Sequence, residues 1–447
     1  DIAAVTAALR GDFLTQGPVL EAFERAVAER VEARHAVAYA NGTAALHGAC
    51  AAAGLGPGDL VATSPLSFAA SANCARYQGA DVTFVDIDPS TLNLDVTAVP
   101  DGLDALVPVH FTGLPVDLRA VVNRPRVVIE DAAHALGAWT PDGPVGNGAH
   151  SEMTCFSFHP VKPVTTGEGG VVTTNDDELA ERLRRFRSHG TEKRPEHGGW
   201  FYEINEIGMN YRLTDIQAAL GLSQMAKLDR FISRRQEIAA RYDELLAGFP
   251  VTLPPKAPEG FGHGYHLYAI RVGHRRAVYE SLHSDGVAVQ VHYVPIHHHP
   301  IYRDVPGSYP HTDAAYEQLL SMPMFPSLTD VQQLVAVEAL VRAIDRAGAS
   351  SARWALTPSS GSRRGWGRPG SRARRWRRSG VSPTSTGWCA APVWPEASTP
   401  SSTRRRPMRA TTNSPSTLPP QDGWSPAAIR STCSTGTSPR SSRWITS

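Results

Sequence analysis

Between residues 36 and 129, short apolar runs alternate with segments long enough to be helices, and this alternation restricts the chain to an α/β architecture. The runs fall at residues 36–39, 60–62, 82–85, 105–109 and 126–129. Strands joined by helical crossovers lie parallel, and a parallel sheet buries both faces under helices. Ahead of them, residues 1–30 show helical spacing broken by a loop around Thr15, Gln16, Gly17 and Pro18. Residues 215–246 predict one long helix capped by Thr214 or Asp215. Beyond Pro250 the pattern becomes mixed. Residues 266–272 and 287–292 read as strands, and residues 314–320 and 330–347 as helices. The expectation is a large domain over residues 1–250 and a smaller α/β domain over residues 251–348.

At about Gly348 the character changes. Residues 349–447 hold sixteen arginines, no lysine, two acids (Glu396 and Asp422) and seven of the nine tryptophans. Apolar periodicity is lost there, so this stretch has too little aliphatic surface to offset its ordering entropy. It reads either as a disordered arginine-rich tail or as out-of-frame translation of a GC-rich gene, and no function is drawn from it. The net charge of +1 hides this division: the rest of the chain carries 28 basic and 41 acidic residues. An acidic body argues against nucleic-acid binding. Cys50, Cys74, Cys155, Cys389 and Cys433 show neither CxxC nor metal-ligand spacing, which suits reduced thiols in a cytoplasmic protein. No run of eighteen apolar residues predicts a membrane span. No signal peptide is visible, although the chain opens on Asp1 rather than Met.

The body has four lysines, and one of them, Lys162, lies in FSFHPVKPVTTGEGG between an apolar run and a glycine-rich turn. A loop lysine taken alone is more often a surface residue. As a nucleophile it would form an imine with an aldehyde cofactor and later shuttle a proton. Asp131, in VVIEDAAHALGA, ends an apolar strand, where open α/β sheets bind ligands. Pyridoxal-phosphate (PLP) enzymes place an acid at the pyridine nitrogen, and Asp131 fits that role, with His134 on another edge of the cofactor. The bland alternative for Asp131 is a helix cap. In AYANGTAAL, the turn Asn41-Gly42-Thr43 opens a helix and offers free N–H groups to a phosphate, to which Ser157 could add a hydroxyl. Phe68 in SPLSFAASAN could stack on a planar ring, or simply pack in the core. His297, His298 and His299 are adjacent, and a regular backbone cannot aim all three at one ion, so no metal site is expected.

Taken in order, LTQGP, NGTAAL, SPLSFAASAN, EDAAHALGA, FSFHPVKPVTTGEGG, FRSHG, GMNYRLTDIQAALGLSQ and QVHYVPIHHHPIY resemble the DegT-type family of sugar-nucleotide aminotransferases. The resemblance covers residues 1–347 and implies the fold of type I PLP-dependent transferases. It implies Lys162 as the imine lysine, Asp131 as the pyridinium partner and Phe68 as the stacking ring. Thr43, Ser157 and the backbone of Gly42 and Ala44 would hold the phosphate. Asn210 would reach the cofactor of a neighbouring subunit, which makes the active unit a homodimer. Asp12, Phe13, Leu14 and Thr15, together with Gln290, Val291, His292 and Tyr293, fall where the family contacts its sugar nucleotide. Some members replace the lysine by histidine and become dehydratases, so Lys162 favours transamination. The residues that precede Asp1 in the family, and the tail after Gly348, have no counterpart in this comparison.

Within the family the chain resembles most the branch that makes pseudaminic acid precursors. The expected substrates are L-glutamate and UDP-2-acetamido-2,6-dideoxy-β-L-arabino-hexos-4-ulose. A dTDP-4-keto-6-deoxy sugar is the alternative within the enzyme class. A catalytically silent PLP-binding regulator is the alternative outside it.

Overall fold

The computed structural model describes the backbone of residues 1–354 and the side chains of residues 1–348. The expectation of a disordered or out-of-frame segment from residue 349 onward therefore lies outside the described residues, apart from a helical backbone to Trp354. The first helices are α1 (Ile2–Leu9) and α2 (Pro18–Val31), and the alternating region follows. It comprises β1 (His35–Tyr39), α3 (Gly42–Ala52), β2 (Leu60–Thr63), α4 (Ala70–Tyr77), β3 (Asp81–Phe84), β4 (Ala105–Val107) and β5 (Val127–Asp131). After a small hairpin, β6 (Trp139–Thr140) and β7 (Gly143–Pro144), come β8 (Met153–Ser157), β9 (Gly170–Thr174) and α5 (Asp177–Arg187). A second hairpin, β10 (Thr191–Lys193) and β11 (Tyr202–Ile204), leads into α6 (Asp215–Met225) and α7 (Leu228–Leu246).

Seven strands form one sheet in the order β1-β9-β8-β5-β4-β2-β3. β9 pairs antiparallel with both β1 and β8, and the other pairings are parallel, as the alternation predicts. Period-two alternation sends side chains to two separate cores. Val37 and Tyr39 pack with the small residues of α3 and α4, while Ala36 and Ala38 pack with α2 and α6. The alanine-rich composition of α3 lets it approach the sheet closely. A side chain at Gly48 would begin 2.4 Å from the Tyr39 hydroxyl, which donates to the Leu183 carbonyl at 2.8 Å.

The expected long helix over residues 215–246 is two helices, because the helical run stops at Ala226 before restarting at Leu228. Its start is as read: Thr214 and Gln217 form a reciprocal capping box, a motif worth about 1 kcal/mol. The chain then forms a three-stranded antiparallel sheet of β12 (Val251–Thr252), β13 (Tyr268–Val272) and β14 (Leu319–Met322). This sheet packs against α7, α8 (Arg275–Ser284) and α10 (Asp330–Trp354) around its own apolar cluster.

Two expectations in this region are corrected. Residues 287–292 are not a strand. Only Gln290 pairs, with Ser321, before His292 turns its Nδ1 to the Ser321 Oγ at 2.9 Å. The expected helix over residues 314–320 instead spans Pro310–Tyr316, which is α9. Pro310 favours the first turn, and the buried Leu319 and Leu320 complete the sheet as part of β14.

Candidate active site

Three chain segments meet at one end of the main sheet. β1 and β8 both end there, and β9 begins there, since Gly170 lies opposite both Tyr39 and Ser157. That is the carboxyl edge at which open α/β sheets bind ligands. Beyond β1, the Asn41 side chain caps α3 by accepting the Ala44 N–H at 2.8 Å. The Ala44 amide is thus committed to the cap. The N–H groups of Gly42 and Thr43 have no partner among the described residues, as expected for the first turn of a helix. A side chain at Gly42 would begin 2.9 Å from Ser157 Cβ and 3.1 Å from its Oγ. Glycine therefore keeps open a small space between two free amides and a hydroxyl, which is the chemistry of a phosphate cradle.

Lys162 sits on a loop pinched at its base, where Phe158 N–H donates to the Gly169 carbonyl at 2.8 Å. Buried Pro163 and Val164 anchor the loop, and the Lys162 amide donates to His159 at 2.9 Å. Burial pulls Lys162 down to about 8, against the opposing pull of the Asp131 carboxylate. Asp131 is buried at the end of β5. Its Oδ2 accepts from Ser71 Oγ at 2.6 Å, and its Oδ1 accepts from the Ala133 N–H at 3.1 Å. Ser71 has one hydroxyl proton, so when it serves Asp131 it accepts from Ser67, whose Oγ lies 2.8 Å away.

A group of aromatic side chains surrounds this pair. His134 Nε2 lies 3.1 Å from the Tyr293 hydroxyl, and the His134 ring lies 4.4 Å from that of His266. Both histidines are held well below the usual imidazole range by burial first and by the Lys162 charge second. His134 Nδ1 and His266 Nδ1 are buried without a partner among the described residues. His292 is lowered to about 4 for the same two reasons, and burial pushes the Tyr293 hydroxyl up. Phe68 is 60% exposed, so it is not a core residue, and its ring lies 5.9 Å from that of Tyr293.

The structure thus brings Gly42 and Ser157 together at the ends of β1 and β8, and gathers Asp131, Lys162, His134, His292 and Tyr293 into one group, with Phe68 against Tyr293. Gln290 and Val291 lead into this group along β14. Asp12, Phe13, Leu14 and Thr15 lie in the loop between α1 and α2, where Thr15 pairs with Thr214. Asp12 and Phe13 line a groove of about 430 Å³ against α1 and α6, and no residue of the Lys162 group lines it. That loop is fixed by Asp215, whose buried carboxylate accepts the amides of Gly17, Val19 and Leu20 at 2.9–3.2 Å. Asn210 is exposed on the segment after the β10–β11 hairpin. The sequence reading missed three residues. Ser71 lies one helical turn after Ser67 and Phe68, a spacing that could have revealed it. His266 and Arg235 carry no local signal. Arg235 is buried with no carboxylate, and it donates to the carbonyls of Tyr265, His266 and Met324 at 3.1–3.2 Å. Burial lowers it to about 10, and it fixes the loop that carries His266.

The fit to PLP is good on this chain's own geometry: an open anion cradle, an amine with lowered affinity for its proton, and a fixed carboxylate share one end of the sheet. Among the described residues, no helix is long and apolar enough to cross a membrane. Residues 1–341 match the DegT/DnrJ/EryC1/StrS aminotransferase family. The chain is 37% identical over 354 residues to the spore coat polysaccharide biosynthesis protein SpsC of Bacillus subtilis, covering 74% of this chain and 90% of that one. It is 36% identical over 340 residues to the UDP-4-amino-4,6-dideoxy-N-acetyl-beta-L-altrosamine transaminase of Campylobacter jejuni, covering 72% and 89%. Its fold matches that of PseC from Helicobacter pylori, an aminotransferase involved in the biosynthesis of pseudoaminic acid. The TM-score is 0.72 at 30% identity, over 77% of this chain and 96% of PseC. The cradle, the lysine and the matched sequence together identify the chain as a member of the DegT/DnrJ/EryC1/StrS family, the PLP-dependent sugar aminotransferases of type I fold.

Proposed function

We propose that this chain moves an amino group from L-glutamate to C4 of UDP-2-acetamido-2,6-dideoxy-β-L-arabino-hexos-4-ulose, with Lys162 as the catalytic amine. The observation that carries the reaction is the placement of Lys162 and Asp131 beside the Gly42, Thr43 and Ser157 cradle. The choice of sugar rests on likeness to the Campylobacter transaminase and to PseC.

When bound, PLP would supply an electron sink for the carbon that loses its proton and would carry the amino group from glutamate to the sugar between the two half-reactions. Gly42 and Thr43 N–H and the Ser157 hydroxyl would hold its phosphate, and Asp131 would pair with its ring nitrogen. Phe68 would cover the ring, and His134 would meet its edge. In the first half-reaction Lys162 Nζ, neutral at the moment of transfer, removes the proton from the α-carbon of glutamate, and 2-oxoglutarate leaves. In the second it delivers a proton to C4 of the sugar, which leaves as the amine. His292 and Tyr293 line the sugar side. Tyr293 also reaches His134, so the sugar-side segment contacts the cofactor side directly.

Only the neutral amine attacks an aldehyde, so capture of PLP by the cofactor-free chain should quicken with pH. The expected profile rises roughly tenfold per pH unit up to about 8 and then levels, as rapid-mixing absorbance would read. A profile that still rises up to an ordinary lysine value, about 10.4, would contradict the burial of this amine.

The active unit in this reading is a homodimer. The β10–β11 hairpin and the segment after it expose Trp200, Tyr202, Ile204 and Ile207, an apolar patch of the sort that a partner surface covers. Asn210, three residues beyond Ile207, would then reach the second copy's cofactor. Analytical ultracentrifugation should read twice the chain mass, and Trp200→Asp should shift it toward the monomer; a monomeric wild type would end this part of the reading.

The substrate is tested by amine formation on UDP- and dTDP-linked 4-keto-6-deoxy sugars. Turnover of the UDP-sugar is expected. Turnover of the dTDP-sugar alone would replace the sugar assignment. If glutamate changes neither the visible spectrum nor the 2-oxoglutarate level, the non-catalytic regulator takes its place.

A further inference from the structure

The histidine run that follows the sugar-side segment takes no part in the Lys162 group. The sequence reading expected no metal there because adjacent side chains diverge on a regular backbone. Two of the three histidines nevertheless converge. Residues Ile296–His298 form a single 3₁₀ turn, which brings the rings of His297 and His298 to 4.3 Å, edge to face. His297 Nε2 lies 3.1 Å from Asp313 Oδ1, and His298 Nε2 lies 2.9 Å from the same oxygen. The three ligand atoms all lie within 4.8 Å of one another, and His299 contributes none.

Both halves of this arrangement are held by other parts of the fold. Ile296 is buried, and its N–H donates to the Pro65 carbonyl at 2.9 Å, fixing the turn to the loop after β2. Asp313 lies in the first turn of α9. Asp86 holds that end of the helix, accepting from the His311 and Thr312 amides at 2.9 Å and from Thr312 Oγ1 at 2.7 Å. The groups therefore meet through the fold and not through local flexibility.

We propose that His297, His298 and Asp313 form a binding site for one divalent transition-metal ion of the zinc class, with a fourth position open to water. Zinc holds imidazole nitrogens and carboxylate oxygens at about 2.0–2.2 Å, which places tetrahedral ligand atoms roughly 3.3 Å apart. The separations from Asp313 need to open by only a few tenths of an ångström to accept it. In the metal-free chain each Nε2–H points at Asp313. On binding, each ring turns an Nε2 lone pair to the ion in place of that N–H. Two nitrogens and one oxygen suit zinc and its neighbours in the transition series, and do not suit magnesium or calcium. The ion would brace the turn against α9. That turn begins three residues after Tyr293, so the brace would stiffen the segment that lines the sugar side.

The competing account is that the two imidazoles simply share one carboxylate oxygen. Calorimetric titration of the full chain with zinc chloride, PLP in place and adventitious metal removed by a chelator, separates the two. His298→Ala and Asp313→Asn serve as comparisons, and both side chains are exposed enough to change without disturbing a core. The wild type should bind one more zinc than either variant, or bind it at least about tenfold tighter, and should gain a zinc-dependent rise in Tm that both variants lack. Equal zinc binding in all three proteins, or no binding to the wild type, would overturn the site. Equal binding of magnesium would overturn the metal class. Matching zinc-free Tm values verify that the variants fold. If one is destabilised, the other decides.

Discussion

Lys162→Arg should lose amine transfer by at least about 10³-fold, a barrier increase of roughly 4 kcal/mol. Arginine keeps the positive charge and most of the volume, but its guanidinium does not give up a proton near neutral pH. It can neither form the imine nor accept the proton from the α-carbon. The loop should survive the change, because Pro163, Val164 and the Phe158–Gly169 pinch hold it independently of the amine. The measurement is turnover with glutamate, together with the visible absorbance of the lysine-bound cofactor and the thermal midpoint. The absorbance should vanish while the midpoint of the cofactor-free protein stays put. A variant that kept more than about a tenth of wild-type turnover would remove Lys162 from the catalytic role.

Asp131→Asn should lower kcat by roughly 10²–10³-fold, the range seen when one preorganised electrostatic group is removed. The change preserves size but removes the charge that would keep the ring nitrogen protonated. Ser71→Ala should act in the same direction and less strongly, by about tenfold, since it removes one hydrogen bond to a charged acceptor. Ser71→Thr should recover most of that loss if the hydroxyl is what matters. The order of the two effects is the test. If Ser71→Ala cost as much as Asp131→Asn, Ser71 would matter through more than its one hydrogen bond to the carboxylate.

The sequence carried the alternating framework well because each strand of the main sheet is short, apolar and separated by a helix of sufficient length. It also placed Asp131 at the end of a strand and Lys162 in the turn-rich stretch after one, which is where β5 and the β8–β9 loop put them. It failed where tertiary contacts override local pattern. Leu319 and Leu320 look helical beside Ala314 and Ala315, yet they pair with β13 because that sheet needs a strand there. Residues 287–292 alternate like a strand, but the His292 contact to Ser321 ends the pairing. Ala44 illustrates a finer limit. Its amide has the right position in the turn, but the Asn41 side chain takes it first. His266 comes from a loop far along the chain, and no spacing rule connects it with His134.

The order of strands also bears on how the molecule assembles itself. β1 and β8 do not touch each other in the sheet; β9 lies between them and is made last of the three. Gly42 and Ser157 therefore face each other only after a loop of more than a hundred residues has closed, a slow event in chain-entropy terms. The anion cradle is in this sense the seam of the large sheet. A phosphate that binds only the closed form shifts the balance toward closure in proportion to its affinity. A cofactor whose phosphate is held there, as proposed, would act on the protein twice, as a reagent and as the ligand that favours the final strand in its slot.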